Sequence, residues 1–137
     1  MKKVLLLVSF LAIGFTSCNK DDDSSDAAPA NIEGKWAYTK SGAIVNGQEV
    51  LANYEHECTT KKDYLELLTG GVANDVYYPS DCVADAIAGT WSRTGNVLTR
   101  TIDGVTTNEE VYVLNATTLK VKYTVEGMTL VDEYTRQ

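Results

Sequence analysis

Three cysteines and a single histidine are the residues of this chain with the most reactive side chains. His56 stands two positions before Cys58, so in a strand both would lie on one face, where a Cys–His nucleophile pair is conceivable. Cys82 offers Cys58 a competing use, because two cysteines of an exported chain can form a disulfide. We therefore interpret His56 as a surface residue and not as part of a catalytic pair.

Metal and cofactor chemistry finds little support in the sequence. A metal site needs about three ligands, and the consecutive Glu55, His56 and Glu57 would alternate between the faces of a strand. The chain has no Gly-rich phosphate loop, no Ser-His-Asp order and no HExxH motif. We predict a protein that is not an enzyme, binds no metal and carries no cofactor.

The third cysteine, Cys18, follows an N-terminal segment with the features of a secretory leader. Lys2 and Lys3 precede the apolar run Val4–Phe15, which is too short for a membrane span of about 20 residues. A basic start and a short apolar run are typical of a leader that is removed on export. The alternative is a buried N-terminal helix.

The residues at the end of the run place the cut directly before Cys18. Thr16 and Ser17 are small, and with Cys18 they resemble the lipobox of bacterial lipoproteins, with Phe15 where leucine is usual. The resemblance implies that residues 1–17 are a leader. It also implies that Cys18 is diacylated through sulfur and anchors the chain to a membrane.

Lipidation of Cys18 would leave Cys58 and Cys82 as an even pair. Export supplies the oxidising compartment that a disulfide needs, and the bridge would close a loop of about 25 residues, worth about 3 kcal/mol on the chain-entropy model. The alternative is two free, buried thiols.

Residues 18–31 read as an acidic, flexible tether. The stretch "CNKDDD" resembles the export signal of surface lipoproteins of Bacteroidota-type bacteria. It implies a cell-envelope location, as an outer-membrane lipoprotein exposed at the surface. The aspartates lack the D-x-D-x-D-G spacing of a calcium loop, so we expect no calcium here.

The charge of the chain argues against nucleic acid as a partner. The formal net charge is −7, and removal of Lys2 and Lys3 with the leader makes the mature chain more negative still. Such a surface repels phosphate backbones, and no basic patch is interleaved with aromatic residues.

Residues 32–137 have the texture of a β-domain. In Leu119–Val125 apolar and polar residues alternate, which predicts a strand with one buried and one solvated face. Hairpin turns are predicted at Asn46-Gly47, Asp103-Gly104 and Glu126-Gly127. The N-terminal half is less regular, and its predicted strands are Ile32–Thr39, a bent or hairpin element over Ala43–Tyr54, Asp63–Leu68 and Val76–Tyr78. About eight or nine strands in a closed or nearly closed meander account for the pattern.

Three stretches carry a family resemblance in their order along the chain. They are "IEGKWAYTKS", "ECTTKKDYLELLTGG" and "SDCVADAIAGTWSRTGNVLTRTIDG". They are similar to the small lipocalin-like lipoproteins of Bacteroidota-type bacteria. The resemblance implies an all-β fold, an up-and-down antiparallel β-barrel of about eight strands, and no established reaction or ligand.

A barrel of this size either holds one small molecule or is filled by its own side chains. In the first case we expect a small apolar ligand, contacted by a set of large residues on the predicted strands: Trp36, Tyr38, Leu65, Trp91, Val121 and Tyr123. In the second case the same residues form a packed core, and the protein is a structural or interaction module for another protein or a glycan.

Overall fold

A computed structural model describes residues 30–137. The predicted leader 1–17, the lipidation site Cys18 and the tether up to residue 29 lie outside the described residues. The described part has nine strands and no helix, and hence no helix that could cross a bilayer. The strands are β1 Gly34–Val45, β2 Gln48–Asn53, β3 Tyr64–Leu68, β4 Val72–Tyr77, β5 Asp85–Thr94, β6 Val97–Ile102, β7 Val105–Leu114, β8 Thr118–Val125 and β9 Met128–Arg136.

The strands form one antiparallel sheet that closes on itself. From β3 to β9 each strand pairs with the next, and β1 pairs with both β3 and β9. These eight strands make the barrel, while β2 extends the second half of β1 as a hairpin. The predicted up-and-down barrel of about eight strands is confirmed.

The three predicted hairpin turns are also confirmed. Both central residues have positive φ at Asn46-Gly47 (51° and 77°), Asp103-Gly104 (49° and 75°) and Glu126-Gly127 (50° and 81°). This is the type I′ geometry, whose twist matches that of the flanking strands. Glycine at the second position adopts positive φ at no steric cost.

Two strands of the N-terminal half differ from the sequence prediction. The pattern predicts a first strand that ends at Thr39, but β1 runs on to Val45 because its second half pairs with β2 and β9. The pairing of β1 with β9 shifts register between Tyr38 and Lys40, where β1 has one extra residue. β4 begins at Val72 instead of Val76, because pairing with β3 and β5 holds Asn74 and Asp75 in the sheet.

The up-and-down order defines two ends of the barrel. The base is where β1 begins, β9 ends, and the β3–β4, β5–β6 and β7–β8 turns lie. The open end carries the β1–β2 hairpin, the β6–β7 and β8–β9 turns, and the loops 54–63 and 78–84.

Apolar side chains fill the barrel toward the base. Trp36, Leu67, Leu98, Leu119 and Val121 are fully buried there. The core cluster also contains Ile32, Leu65, Ala73, Val111 and Tyr134, with Tyr38, Trp91, Ile102 and Leu114 packed against it. This cluster is the hydrophobic core of the domain.

Trp36 and Arg136 close the base. The Trp36 indole donates a hydrogen bond to the carbonyl of Ile32 (2.7 Å), and the Arg136 guanidinium stacks on its ring at 4.1 Å. Arg136 also donates to the carbonyl of Glu33 (2.8 Å). Gly34 has a φ of 128°, and a Cβ there would lie 2.8 Å from the guanidinium, so a side chain at this position would displace Arg136.

A disulfide joins the two longest loops at the open end. The Cys58 and Cys82 sulfurs are bonded, with 5.1 Å between their Cα atoms, so the predicted pair is confirmed. Cys58 is buried, and the bridge ties loop 54–63 to loop 78–84. Hydrogen bonds from the Tyr78 N–H to Asp63 (2.8 Å) and from Lys61 to the Cys82 carbonyl (3.0 Å) join the same two loops, so the bond and these contacts together hold the rim of the open end.

Replacing Cys58 and Cys82 by alanine together should lower the free energy of unfolding by about 3 kcal/mol, because the unfolded chain regains the freedom of the closed loop. Urea unfolding of the wild type and the double variant measures this. Reduced wild type serves as the control and should unfold with the variant. Equal midpoints for oxidised wild type and variant would contradict the prediction.

Candidate ligand-binding site

A cleft of about 580 Å³ opens between the β1–β2 hairpin and strands β8 and β9. We call it the open-end cleft. One part of its lining is aromatic, another aliphatic, and a single carboxylate contributes charge. The side chains concerned are Tyr38, Tyr54, Tyr123, Val45, Val50, Leu130 and Asp132.

The backbone of the hairpin shapes this cleft. Gly42 lies on β1 directly opposite Leu51 of β2. A Cβ on Gly42 would approach the Val50 carbonyl oxygen to 2.0 Å, so only glycine lets the two strands come this close. Val45 and Val50 follow on the hairpin and are largely exposed, so the aliphatic part of the lining faces solvent.

Stacked aromatic rings run from the core to the rim. The ring of the buried Tyr134 lies 4.8 Å from that of Tyr38, which in turn stacks on Tyr54 at 5.0 Å. The edge of His56 meets Tyr54 at 4.9 Å. This column gives the cleft a rigid aromatic wall, since each ring is held by the next.

Two acidic side chains lie behind the tyrosines of the cleft. Asp75 accepts hydrogen bonds from the hydroxyls of Tyr38 (2.9 Å) and Tyr77 (3.2 Å). Asp132 accepts one from Tyr123 (3.1 Å). Alternation along β4 and β9 places both carboxylates inside the barrel, on the face that also carries Tyr134.

Burial changes the acidity of these groups. It raises the pKa of both Asp75 and Asp132, and hydrogen bonds from the tyrosines only partly offset this. Burial likewise raises the pKa of the Tyr38 and Tyr123 hydroxyls. The tyrosines therefore remain neutral donors. Ionisation of the two aspartates is unfavourable, because their carboxylates are buried in a low-dielectric site.

A buried ion pair lies deeper in the same half of the barrel. The Arg100 guanidinium donates to both oxygens of Glu109, with Nε to Oε2 at 2.9 Å. Glu109 is fully buried and Arg100 nearly so. Since this pair satisfies itself, Asp75 and Asp132 lack a cationic side chain as a direct partner among residues 30–137.

The hydroxyl of Tyr134 sits at the centre of these groups. It is buried and makes no hydrogen bond to another group of residues 30–137. Burial raises its pKa, and the charges that act on it are those of Arg100, Asp132, Glu109 and Asp75. A buried, unbonded hydroxyl costs free energy unless a further polar group completes it.

His56 braces the rim and does not act with a cysteine. Its Nδ1 accepts the backbone N–H of Asp63 (3.0 Å). Although Nδ1 also lies 3.6 Å from the Asp63 carboxylate, a nitrogen that accepts carries no proton, so the two are not an ion pair. The histidine is mostly buried, with 17% of its side chain exposed, which corrects the prediction of a surface residue. Cys58 is consumed by the disulfide.

The structure separates the six predicted ligand-contacting residues into three groups. Tyr38 and Tyr123 come together in the open-end cleft. Trp36, Leu65 and Val121 are at most 1% exposed and pack in the core, as the alternative interpretation predicts. Trp91 lies toward the base, where its indole donates to the Leu68 carbonyl (2.9 Å).

Sequence reasoning misses the polar half of the barrel interior. Asp75, Arg100, Glu109 and Asp132 each occupy an inward position on a strand, yet nothing in their immediate sequence marks them as buried. The one available indication in the sequence is a charged residue at a strand position that the alternating pattern assigns to the barrel interior. Within residues 30–137, no three acidic, histidine or cysteine side chains are placed to hold a metal.

Comparisons with known proteins agree with this architecture. The family model described as "Lipocalin-like domain" matches residues 32–121. A lipocalin-like protein from Bacteroides uniformis superimposes with a TM-score of 0.57 at 12% identity, over 77% of this chain and 96% of that one. An uncharacterized protein from Bacteroides eggerthii gives 0.54 at 10% identity, over 76% and 99%. No functionally curated protein matches the sequence.

Asp75→Asn should flatten the pH dependence of stability. Because burial raises the pKa of Asp75, the native state keeps its proton at pH values where the unfolded chain has lost it. The free energy of unfolding therefore falls as pH rises from about 4 through the raised pKa. Asparagine releases no proton, so that part of the fall disappears.

Melting temperatures between pH 4 and 8 test this, with the exposed Asp85→Asn as the control. The groups that act on the Asp75 carboxylate are Tyr38, Tyr77, Arg100 and Asp63, and all are unchanged in both variants. Parallel curves for wild type and Asp75→Asn would show that Asp75 titrates normally.

Proposed function

Because the chain belongs to the lipocalin-like domain family, we propose that it is a lipid-anchored barrel of the bacterial cell envelope whose open end binds a small ligand. It acts by binding and not by catalysis. The observation that carries the proposal is the open-end cleft of about 580 Å³, lined by tyrosines and aliphatic side chains around one carboxylate. Pockets of a few hundred Å³ with a few convergent polar groups are typical of small-molecule sites.

The packed core supports a ligand site at the open end and not in the lower barrel. Trp36, Leu65 and Val121 are buried in the lower barrel, and the cleft ends at Tyr38, whose ring packs on that of Tyr134. The small apolar ligand expected from the sequence becomes a ligand with an apolar body that also meets polar groups. Valines 45 and 50 and Leu130 offer it aliphatic contact.

The position of the anchor fits a ligand site at the open end. The described chain enters at the base, and eleven residues separate Ala30 from Cys18. Even fully extended, they span at most about 40 Å. A lipid on Cys18 would attach the barrel to the outer membrane from the side of its base, which leaves the open end free to meet a ligand.

An interaction module is the second candidate function. The filled lower barrel favours it, because a domain with a packed core needs no ligand to be stable. In that case the open end or the outer face contacts another envelope protein or a glycan, and the cleft holds only solvent.

Cys18→Ser should release the protein from the membrane fraction. Without the sulfur no diacyl anchor forms, and a chain that loses its acyl groups loses about 0.8 kcal/mol of membrane affinity for each buried CH₂. Fractionation of host cells measures this, with Cys58→Ser as the control that keeps the lipid. A Cys18→Ser variant that stays in the membrane fraction would contradict the anchor.

Ala43→Trp should fill the open-end cleft and prevent the ligand from binding there. Ala43 lines it, and an indole at this position occupies the space between the hairpin and β9. Native mass spectrometry of protein extracted from its host should find a small molecule on the wild type and at least tenfold less on this variant.

Ala88→Trp provides the matched control, because Ala88 is exposed on β5, away from the cleft. It should retain the molecule. A wild type that carries nothing, or an Ala43→Trp variant that retains its cargo, would favour the interaction module instead.

A further inference from the structure

We propose that the open-end cleft selects a small organic cation, namely an amine with an apolar body. The inference rests on the proposed function, because it names the ligand class for the same cleft. It depends on the charge inside the barrel, on the aromatic wall, and on the unpartnered hydroxyl of Tyr134.

The charge balance of the cleft is acidic. Its lining contains one charged side chain, the carboxylate of Asp132, and neither lysine nor arginine. Behind Tyr38 lies Asp75, a second carboxylate, while the nearby Arg100 is already bound to Glu109. A cation that enters therefore meets Asp132 in the lining, with Asp75 behind it, and neither carboxylate forms a direct ion pair with a side chain of residues 30–137. An anion in the same place is repelled.

The walls suit the rest of an amine. Tyr38, Tyr54 and Tyr123 present aromatic rings, which attract ammonium groups through the electrostatics of their faces. Their hydroxyls do not compete for the cation's site, because those of Tyr38 and Tyr123 are turned to Asp75 and Asp132. The aliphatic lining of the hairpin is left for the apolar body.

Tyr134 supplies the independent sign of a ligand. The residue as a whole is 1% exposed. Its buried hydroxyl lacks a hydrogen-bond partner among residues 30–137. Its ring packs on that of Tyr38, and the charges that act on the hydroxyl are those of Arg100, which is paired with Glu109, and of Asp132, Glu109 and Asp75. A hydroxyl can accept a hydrogen bond from an ammonium N–H while it donates to a carboxylate, so a bound amine completes it.

The ionisation of Asp132 sets the pH dependence of such binding. The groups that face its carboxylate are Tyr123 on β8, Glu109 on β7, Arg100 on β6 and Asp75 on β4, and burial raises its pKa. An ammonium ion replaces the hydration that the carboxylate has lost. Amine affinity should therefore rise with pH until Asp132 is fully ionised, and the affinity of a neutral ligand should not.

Three probes of similar shape and different charge test the inference: 2-phenylethylamine, 2-phenylethanol and 3-phenylpropionate. Titration calorimetry with the lipidated full protein in a non-ionic detergent measures each dissociation constant at pH 7.5. The amine should bind at least tenfold more tightly than the alcohol, and the carboxylate more weakly than both.

Asp132→Asn should reduce the preference for the amine over the alcohol to less than about threefold. The variant is expected to fold, because asparagine still accepts the hydrogen bond of Tyr123 and carries no buried charge. Asp85→Asn, on the exposed end of β5, is the matched control and should keep the preference. Tyr134→Phe should weaken amine binding severalfold without lowering the melting temperature.

The outcomes separate this inference from the proposed function. If the alcohol or the carboxylate binds as tightly as the amine, and Ala43→Trp abolishes that binding, the cleft is a ligand site but its preference for a cation is refuted. If none of the probes binds, that preference is also refuted. The proposed function falls as well when protein from the host carries no small molecule, or when Ala43→Trp retains the molecule that the wild type carries.

Discussion

The pairing of β1 with β9 is the constraint on which the rest of the structure depends. It joins the first and last strands of the barrel and so closes the eight-stranded barrel, which leaves only β2 as an edge strand among residues 30–137. Its register sets Trp36 beside Arg136 and Tyr38 beside Tyr134. The β1–β9 pairing therefore positions both the residues that close the base and the aromatic column that leads to the open end.

Closure creates an interior that side chains must fill, and this chain fills its two halves differently. Toward the base, Trp36 and the surrounding leucines and valines pack without exposed surface. Toward the open end, tyrosines bind carboxylates and an arginine pairs with a glutamate. Buried polar groups of this kind are costly unless satisfied, and Tyr134 is the one whose hydroxyl is left without a partner among residues 30–137.

Local sequence patterns predict the frame of this barrel but not its polar interior. The strand Leu119–Val125 and the Glu126-Gly127 turn could be predicted because alternation and turn chemistry act over a few residues. The extent of β4 could not, since Asn74 and Asp75 disfavour strands and are held by two neighbours. Likewise, the environment of Asp75 depends on Tyr38, which lies 37 positions away in the sequence. A pattern of a few neighbouring residues cannot predict a contact over that separation. The disulfide could be predicted from the sequence, because setting Cys18 aside for lipidation leaves Cys58 and Cys82 as the only possible pair.

Trp36, Leu65 and Val121 pack the barrel toward its base, and the buried Tyr134 hydroxyl has no hydrogen-bond partner among residues 30–137. A crystal structure of the protein at about 1.5 Å would show whether a polar group from outside the chain completes this hydroxyl. We expect ordered density, from water or a ligand, within 3.2 Å of the Tyr134 hydroxyl, and none between Trp36, Leu65 and Val121. Density for a ligand among those three core residues, or a Tyr134 hydroxyl bonded to another protein group in a collapsed open end, would contradict the account.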